Sequence, residues 1–332
     1  MISFKEQLPD FAGRYHGGSF MTVKSPDFGG KPYRSLDYHL RDRYGEKIYK
    51  VSLDGGMTCP NRDGTLGKCG CIFCSEGGSG DFAGDRTHPV HQQIEEQKTR
   101  LSPKFPATHF IAYFQAYTNT YAPLSYLERI FTEAIEHEDI VGLSIGTRPD
   151  CLPDETLDLL SELNKKKPVT VELGLQTIHE RTAAFIRRGY KLSCFEDALE
   201  KLQERKLETV VHTILGLPGE TIGDILETMR YLNAHHIDGI KLQLLHVLKH
   251  TDLADYYRQT GFHILSEDEY VDLVIRCLEM LSPDITIHRL TGDGPSDLLI
   301  APLWSLKKRS VLNHIHHELK VRDTWQGRLF TE

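Results

Sequence analysis

Residues 50–74 read KVSLDGGMTCPNRDGTLGKCGCIFC, and this stretch decides how the rest of the chain is interpreted. It opens with a short strand-like run and a Gly-Gly turn. Cys59 then stands alone, whereas Cys71 and Cys74 form a C-x-x-C pair with Phe73 directly before the second thiol. Thiolates in this pattern bind an iron–sulfur cluster or a structural zinc ion, so the stretch predicts a metal centre that follows a strand.

Whether the cysteines bind a structural zinc ion or an iron–sulfur cluster depends on the role of Cys69. Zinc ribbons usually bring two C-x-x-C pairs together, whereas this stretch contains one. Cys69 could supply a fourth ligand, but one glycine separates it from Cys71, so the two thiols would approach a metal from opposite sides of an extended backbone. The residues therefore favour a cluster held by three thiolates, with Cys69 as a spare thiol. A zinc-stabilised, non-catalytic binding protein is the alternative.

Composition excludes several classes of protein. The 332 residues are 39% hydrophobic and 26% charged, which is typical of a globular protein. No apolar run reaches the roughly 18–20 residues that span a bilayer, and the first residues lack the pattern of a signal peptide. Seven cysteines without a secretory signal favour a reduced cytoplasmic metal site over a disulfide framework, so we expect a cytoplasmic protein without a membrane partner.

Net charge argues against extensive nonspecific binding of nucleic acid. The chain carries a formal charge of −8, whereas such binding needs a strongly positive face. A local basic patch is still compatible with this charge, and the alternative is an ordinary solvated helix face. The candidate residues lie near the C-terminus: Lys307, Lys308, Arg309, Lys320, Arg322 and Arg328.

Strand-like and helix-like segments alternate after residue 45. Apolar runs predict strands at 50–53, 109–114, 141–145, 169–173, 209–214, 240–245 and 285–288. Amphipathic helices lie between them, with capping signals at 153–155 and 266–269. This alternation predicts an α/β fold, a partial (βα)6 TIM-like barrel with its chemistry at the carboxyl ends of the strands. We expect a partly mobile extension at 1–45, the barrel at 46–290 and a small appendage at 291–332.

The cysteine stretch resembles the radical S-adenosylmethionine (SAM) enzymes. It is most similar to the YtqA/YhcC group, which is related to the radical domain of the Elongator catalytic subunit and has a longer gap after the first cysteine. The resemblance runs from about residue 33 to about residue 289. Further matching segments are 115–121, 147–150, 172–177, 187–189 and 216–220. Cys69 departs from the pattern, because glycine is usual at that position.

The resemblance implies a [4Fe-4S] cluster bound by Cys59, Cys71 and Cys74, with SAM chelating the fourth iron. An electron from the cluster would cleave the sulfonium to methionine and a 5′-deoxyadenosyl radical, and this radical would abstract a hydrogen atom from an unactivated carbon.

The resemblance also implies contacts to SAM. Phe73 would pack against the adenine, with a plain core aromatic as the alternative, and Gln176 would bond the ribose or the amino-acid portion. Arg188 would pair with the methionine carboxylate, because a guanidinium fork matches a carboxylate. His212 would contact the ribose or face inward as a structural histidine. Gly216 would let the backbone approach the adenine or would simply form a βα turn.

Residues at the ends of other strands are candidate substrate contacts. Gln115, Tyr117 and Asn119 follow the second predicted strand. Arg148 and Asp150 follow the third, where a mutual salt bridge that shapes the loop is the alternative. The later strands add further pocket candidates, of which the first two face the same side of a strand: Lys241, Gln243, His246, His288 and Arg289.

The kinship with Elongator implies tRNA as the substrate. More narrowly, it implies the side chain of the wobble uridine (U34), for example conversion of carboxymethylaminomethyl-uridine towards aminomethyl-uridine. The partners that this chemistry implies are an electron donor such as flavodoxin or ferredoxin and a downstream methyltransferase. The alternative is a radical SAM enzyme that acts on a small metabolite or a protein side chain.

Overall fold

One parallel sheet of seven strands organises the chain. The computed structural model describes residues 26–78, 80, 82–101 and 107–331. Within these residues the sheet has the order β1-β2-β3-β4-β5-β6-β8, and every neighbouring pair is parallel. The strands are β1 (Tyr49–Leu53), β2 (Phe110–Phe114), β3 (Ile140–Thr147), β4 (Val169–Gln176), β5 (Glu208–Leu215), β6 (Gly239–Leu244) and β8 (Thr286–Arg289). The predicted α/β partial barrel is confirmed as a curled half-barrel.

Helices connect the strands and cover the sheet. They are α1 (Leu36–Tyr44), α2 (Val90–Leu101), α3 (Leu124–Glu136), α4 (Asp154–Asn164), α5 (Glu180–Phe185), α6 (Leu192–Glu204), α7 (Ile222–Ala234), α8 (Asp252–Thr260), α9 (Glu267–Met280) and α10 (Lys308–Val321). A separate antiparallel pair joins β7 (Val247–Leu248) to β9 (Leu299–Ala301). Among the described residues, no helix combines the length and the apolar character needed to cross a bilayer.

Most of the sheet is buried on both faces, as parallel sheets require. All five residues of β2 are buried, and β3 has a single partly exposed position. One hydrophobic core runs along the sheet and includes Val311, Ile315 and Leu319 of α10. The C-terminal helix therefore packs onto the barrel as part of the same core.

Capping explains where two of the helices begin. The predicted box at α9 is present: Ser266 accepts a hydrogen bond from the Glu269 backbone, and the Glu269 side chain accepts one from the Ser266 backbone. Thr221 and Asp224 form a second box at α7. The signal predicted at 153–155 provides no side-chain cap, since Pro153 occupies the cap position of α4.

Segments from both ends of the chain meet at the start of β8. Arg34 O accepts a hydrogen bond from Ile287 N (2.7 Å). The buried Gln326 side chain donates to Ile285 O (2.8 Å) and accepts from Arg34 N (2.9 Å). Residues 26–45 of the predicted extension are thus tied to the barrel, and residues 1–25 lie outside the described residues.

Candidate active site

A cavity of about 590 Å³ opens at the carboxyl ends of the strands. This volume is within the range of ligand pockets, roughly 300–1,000 Å³. Its wall contains the following residues that the sequence predicted: Cys59, Cys71, Phe73, Cys74, Gln115, Tyr117, Arg148, Gln176, Arg188 and His212. The fold thus gathers side chains around one space from the ends of β2, β3 and β4, from β5, from the segment after α5 and from the cysteine loop.

Three predicted contacts do not line this cavity. Asn119 is fully buried, and its Nδ2 donates to Gly146 O (2.8 Å). Asp150 accepts two hydrogen bonds from Arg148, at 2.9 and 2.8 Å, so the salt bridge considered as the alternative is present. Gly216 has φ +90°, and a Cβ there would lie 3.1 Å from Leu265, which places it in a turn outside the cavity wall.

The cysteine loop follows β1 and is held from both sides. Ile72 N donates to Ile186 O (3.3 Å), and Ile72 O accepts from Leu253 N at the start of α8 (2.9 Å). Ile72 also packs in a small apolar cluster with these two residues. Backbone and packing contacts therefore hold Ile72, one of the two residues between Cys71 and Cys74, in a fixed position.

Arg62 and Gly70 shape the loop from inside. Arg62 Nη2 donates to the carbonyl oxygens of Cys74 (3.0 Å) and Ser75 (2.6 Å). Gly70 has φ +73°, and a Cβ on it would lie 2.9 Å from Arg62 Nε. Glycine is therefore required here both by the backbone conformation and by the close approach of the guanidinium.

Electrostatics favour a thiolate at Cys71. A hydrogen bond with Cys74 lowers the pKa of the Cys71 thiol to about 7 against the effect of burial. Asn61, whose Nδ2 lies 3.5 Å from the sulfur, and the charges of Arg148 and Arg62 also contribute to this lowered pKa. The same hydrogen bond and burial raise the pKa of Cys74 well above its usual value. Because the thiolate is the metal-binding form, the surroundings of Cys71 suit a ligand.

The three thiols are not all gathered around one point, although those of Cys71 and Cys74 are hydrogen-bonded to each other. A single tetrahedral zinc ion holds its sulfur ligands about 3.8 Å apart, given a Zn–S bond of about 2.3 Å. In the described part of the chain, no group of three or more ligand atoms within 4.8 Å of one another includes a cysteine. Cys69 is exposed and lies outside the cavity wall. The cavity wall therefore offers three thiols, one fewer than the four ligands of a structural zinc site.

Two predicted contacts have left-handed backbone conformations. Gln176 has φ +69° and Tyr117 has φ +59°, and both side chains line the cavity. The β4–β5 register shifts between Gly174 and Gln176. Such conformations are rare for residues other than glycine and concentrate at functional sites.

The Arg188 side chain is buried, and its hydrogen bonds are to the segment that follows β4. Its Nη1 donates to Thr177 O (2.7 Å) and Leu175 O (3.4 Å), and its Nε donates to Tyr190 O (3.1 Å). Nη2 lies 3.3 Å from Glu180 Oε1. Arg188 therefore holds the loop after β4 in shape, and one Nη2 hydrogen is left for another acceptor.

A charged network lies deeper in the barrel, around the fully buried Glu172 of β4. Lys50 Nζ (2.7 Å) and Ser144 Oγ (2.6 Å) donate to its Oε1. His212 Nε2 (2.6 Å) and Lys241 Nζ donate to its Oε2. The carboxylate thereby joins β1, β3, β5 and β6.

This network shifts the pKa values of its members. Burial alone would raise the pKa of Glu172, but the charges of Lys241 and Lys50 hold that pKa well below its usual range. Burial lowers the pKa of Lys241 to about 7. Burial, together with the charge of Lys241, lowers the pKa of His212 to about 4, so this imidazole is neutral at neutral pH.

The sequence predicted no role for four residues around this network: Glu172, Lys50, Ser144 and Tyr113. Tyr113 and Glu172 line the cavity. A charged residue inside the apolar run 169–173 is a signal that could have identified Glu172, because such residues are rarely buried unless paired. Of the later pocket candidates, Lys241, Gln243, His246 and Arg289 line the cavity, whereas His288 does not.

Comparison with known proteins identifies the family. The Radical SAM superfamily model matches residues 59–232, and the model of the Radical_SAM C-terminal domain matches residues 237–321. The chain belongs to the radical SAM superfamily. Radical SAM proteins use a [4Fe-4S] cluster and SAM as cofactors.

Two relatives match most of the chain. YtqA of Bacillus subtilis (strain 168) is 46% identical over 300 residues, which are 90% of this chain and 93% of that protein. YhcC of Escherichia coli (strain K12) is 36% identical over 266 residues, which are 80% of this chain and 85% of that protein. The predicted YtqA/YhcC membership is confirmed.

A solved structure has a similar fold. The archaeal Methanocaldococcus infernus Elp3, with an N-terminal deletion, matches with a TM-score of 0.65 and 16% sequence identity. The match covers 84% of this chain and 64% of that one, so this chain spans less than two thirds of that structure.

Replacing Gly70 by alanine tests the shape of the cysteine loop. Gly70→Ala should displace Arg62 and reduce the iron and sulfide bound after anaerobic reconstitution to roughly half or less of the wild-type level, because loop strain is added at the site. Gly45→Ala is the matched control, since Gly45 also has φ +73° but has nothing within 4 Å of the added Cβ. Equal iron content in the two variants would contradict this account of Gly70.

His246 should make stability depend on pH. Burial lowers its folded pKa from 6.5 to about 4, so between these values the unfolded chain binds a proton that the folded chain does not. The free energy of unfolding should therefore fall by about 1–3 kcal/mol as the pH drops from 6.5 to 4, since one pKa unit is about 1.4 kcal/mol. Urea unfolding of His246→Gln should show a shallower fall, and exposed His317→Gln should retain the wild-type slope. An unchanged slope in His246→Gln would contradict the prediction.

Proposed function

We propose that this protein is a radical SAM enzyme in which Cys59, Cys71 and Cys74 hold the [4Fe-4S] cluster. One observation carries the proposal. The three thiols line a single cavity at the carboxyl ends of the strands, and Cys69, which would complete a four-thiolate zinc site, lies outside its wall. When bound, the cluster and SAM supply reductive cleavage of the sulfonium and hydrogen-atom abstraction from an unactivated carbon. The zinc-stabilised binding protein is disfavoured, because the described cavity wall offers three thiols and a structural zinc site takes four ligands.

The residues of the chain would orient SAM and exclude water. Phe73 and Gln176 are the proposed contacts for the adenine and for the ribose or amino-acid portion, because both line the cavity. His212 donates to Glu172 through Nε2, so a ribose contact would use Nδ1. Arg188 would offer a carboxylate its one remaining Nη2 hydrogen. Apolar side chains complete the wall and restrict solvent: Ile214, Leu244, Leu245 and Leu248.

The proposed substrate is tRNA, at the side chain of the wobble uridine. This proposal rests on the resemblance to the YtqA/YhcC group and to Elongator, and an open cavity at the mouth of the barrel is compatible with an extruded nucleotide. The proposed conversion is carboxymethylaminomethyl-uridine towards aminomethyl-uridine. A small metabolite or a protein side chain is the alternative.

The C-terminal basic residues contribute less to this proposal than the sequence suggested. Lys308 lies 2.6 Å from both carboxylate oxygens of Asp293, and Arg322 lies 2.6 Å from Asp272 and 3.2 Å from Glu318. These pairs reduce the positive charge available to a phosphate backbone.

The reaction requires partners. We propose an electron donor such as flavodoxin or ferredoxin, because the cluster must be reduced before SAM is cleaved. We also propose that a downstream methyltransferase acts on the aminomethyl product.

Substitution of the cysteines tests the chemistry. Cys59→Ala, Cys71→Ala and Cys74→Ala should each abolish formation of 5′-deoxyadenosine from SAM and dithionite in anaerobically reconstituted protein, because each removes a cluster ligand. Cys69→Ala is the matched control and should retain activity within about twofold, because this thiol is exposed and outside the cavity. Activity in any of the first three variants would refute the assignment.

Nucleoside analysis of bulk tRNA tests the substrate. Cells that lack the gene should accumulate carboxymethylaminomethyl-uridine and lose aminomethyl-uridine and its methylated product, since the conversion would be blocked. Complementation with the wild-type gene should restore the profile, whereas the Cys71→Ala gene should not. An unchanged wobble-uridine profile would remove tRNA as the substrate.

A further inference from the structure

Two cationic side chains lie next to each other in the cavity wall. Lys241 of β6 and Arg289 of β8 are direct neighbours in the register of the two strands, and both line the cavity. The Lys241 side chain is 6% exposed and that of Arg289 is 31% exposed. Lys241 lies three residues before the end of β6, whereas Cys59 lies on the loop beyond β1, so this pair is deeper in the barrel than the cysteines.

The carboxylate beside Lys241 is already saturated. Glu172 accepts from Lys50 and Ser144 at one oxygen and from His212 and Lys241 at the other, which uses its four lone-pair positions. An ammonium group has three donors. Lys241 directs one to Glu172 and one to Tyr113 Oη (3.1 Å), which leaves the third for a ligand.

The carboxylate beside Arg289 is shared as well. Asp293 lies 3.5 Å from Arg289 Nη2, but Lys308 approaches both of its oxygens at 2.6 Å. A guanidinium has five donors and is always charged in proteins, and it binds carboxylates through two parallel hydrogen bonds.

Positive charge therefore exceeds negative charge at this end of the cavity. Four basic groups share two carboxylates there: Lys241 and Arg289 line the cavity with Glu172 and Asp293, and Lys50 and Lys308 approach those carboxylates from outside its wall. Charges left inside a protein are costly unless they are paired, so the wall favours a ligand that brings a negative charge. Such a ligand would also favour the protonated form of Lys241.

We propose that Lys241 and Arg289 form an anion subsite that binds the carboxylate of the substrate's side chain. The inference rests on the proposed function for the identity of the substrate and extends it by naming the group that is recognised. Arg289 binds the carboxylate with two hydrogen bonds, and Lys241 contributes the third donor. The subsite selects a side chain that ends in a carboxylate over the same side chain without it.

Equilibrium binding to reconstituted holoenzyme in the presence of SAM tests the subsite. Two anticodon stem-loop RNAs are compared, one with carboxymethylaminomethyl-uridine and one with aminomethyl-uridine at the wobble position. The wild-type protein should bind the first roughly tenfold or more tightly, because only the first carries the carboxylate that Arg289 and Lys241 would bind through charged hydrogen bonds. Arg289→Gln and Lys241→Met should reduce this preference towards unity, and Arg289→Lys should restore part of it.

The control is Arg230→Gln, which removes an exposed arginine from α7 and should leave the preference unchanged. Thermal unfolding reports whether each variant folds. If Lys241→Met is unstable, Arg289→Gln still tests the subsite, because Arg289 is partly exposed and its replacement perturbs the core less. A preference that is unchanged in folded Arg289→Gln would overturn the proposal. If Arg289→Gln loses affinity for SAM but still discriminates between the two RNAs, Lys241 and Arg289 contact the cofactor. This result would also overturn the proposal.

A second pair of probes separates this proposal from the choice of tRNA. N-benzylglycine and benzylamine differ in the same carboxymethyl group as the two RNAs, but they contain no nucleotide. If tRNA is not the substrate, neither RNA shows a preference, but N-benzylglycine should still bind more tightly than benzylamine, and Arg289→Gln should remove the difference. Equal binding of both small probes to the wild-type protein, together with equal binding of both RNAs, would refute the subsite.

Discussion

The buried carboxylate of Glu172 is the group on which the interior of this half-barrel depends. It joins four strands through Lys50, Ser144, His212 and Lys241, and each of its lone pairs has a donor. A buried charge is stable only when its partners are all in place, so this network favours one register of the strands. It also makes the deep part of the cavity polar, whereas complete TIM barrels fill that space with packed side chains.

The cysteine loop depends on distant parts of the chain in a similar way. Ile72 is held by the backbones of Ile186 and Leu253, and Asn61 Nδ2 donates to Arg187 O (2.8 Å). The loop after β1 is thus shaped by the segment after α5 and by the start of α8. The proposed cluster ligands and the proposed SAM contact Arg188 are thereby coupled, because the segment that supports the cysteines also carries Arg188.

The sequence predicted the parts that have strong local signals. The period of apolar residues located every strand of the main sheet, and the cysteine spacing located the loop. It missed α2 and α8, whose mean hydropathy is low, and the short β7–β9 pair. It did not place Asn119, Asp150 and Gly216 outside the cavity, because Asn119 bonds to the backbone of β3, Asp150 is held by Arg148 and Gly216 lies in a turn. The sequence did not predict the Glu172 network either, because the members of this network are far apart in the chain.

Mössbauer spectroscopy of anaerobically reconstituted protein labelled with ⁵⁷Fe tests the central claim most directly. The claim is that three cysteines hold a cluster and leave one iron free for SAM. Addition of SAM should change the spectrum of one iron of a [4Fe-4S] cluster and leave the other three unaltered. A colourless protein that retains zinc, or a cluster in which no iron responds to SAM, would contradict the account.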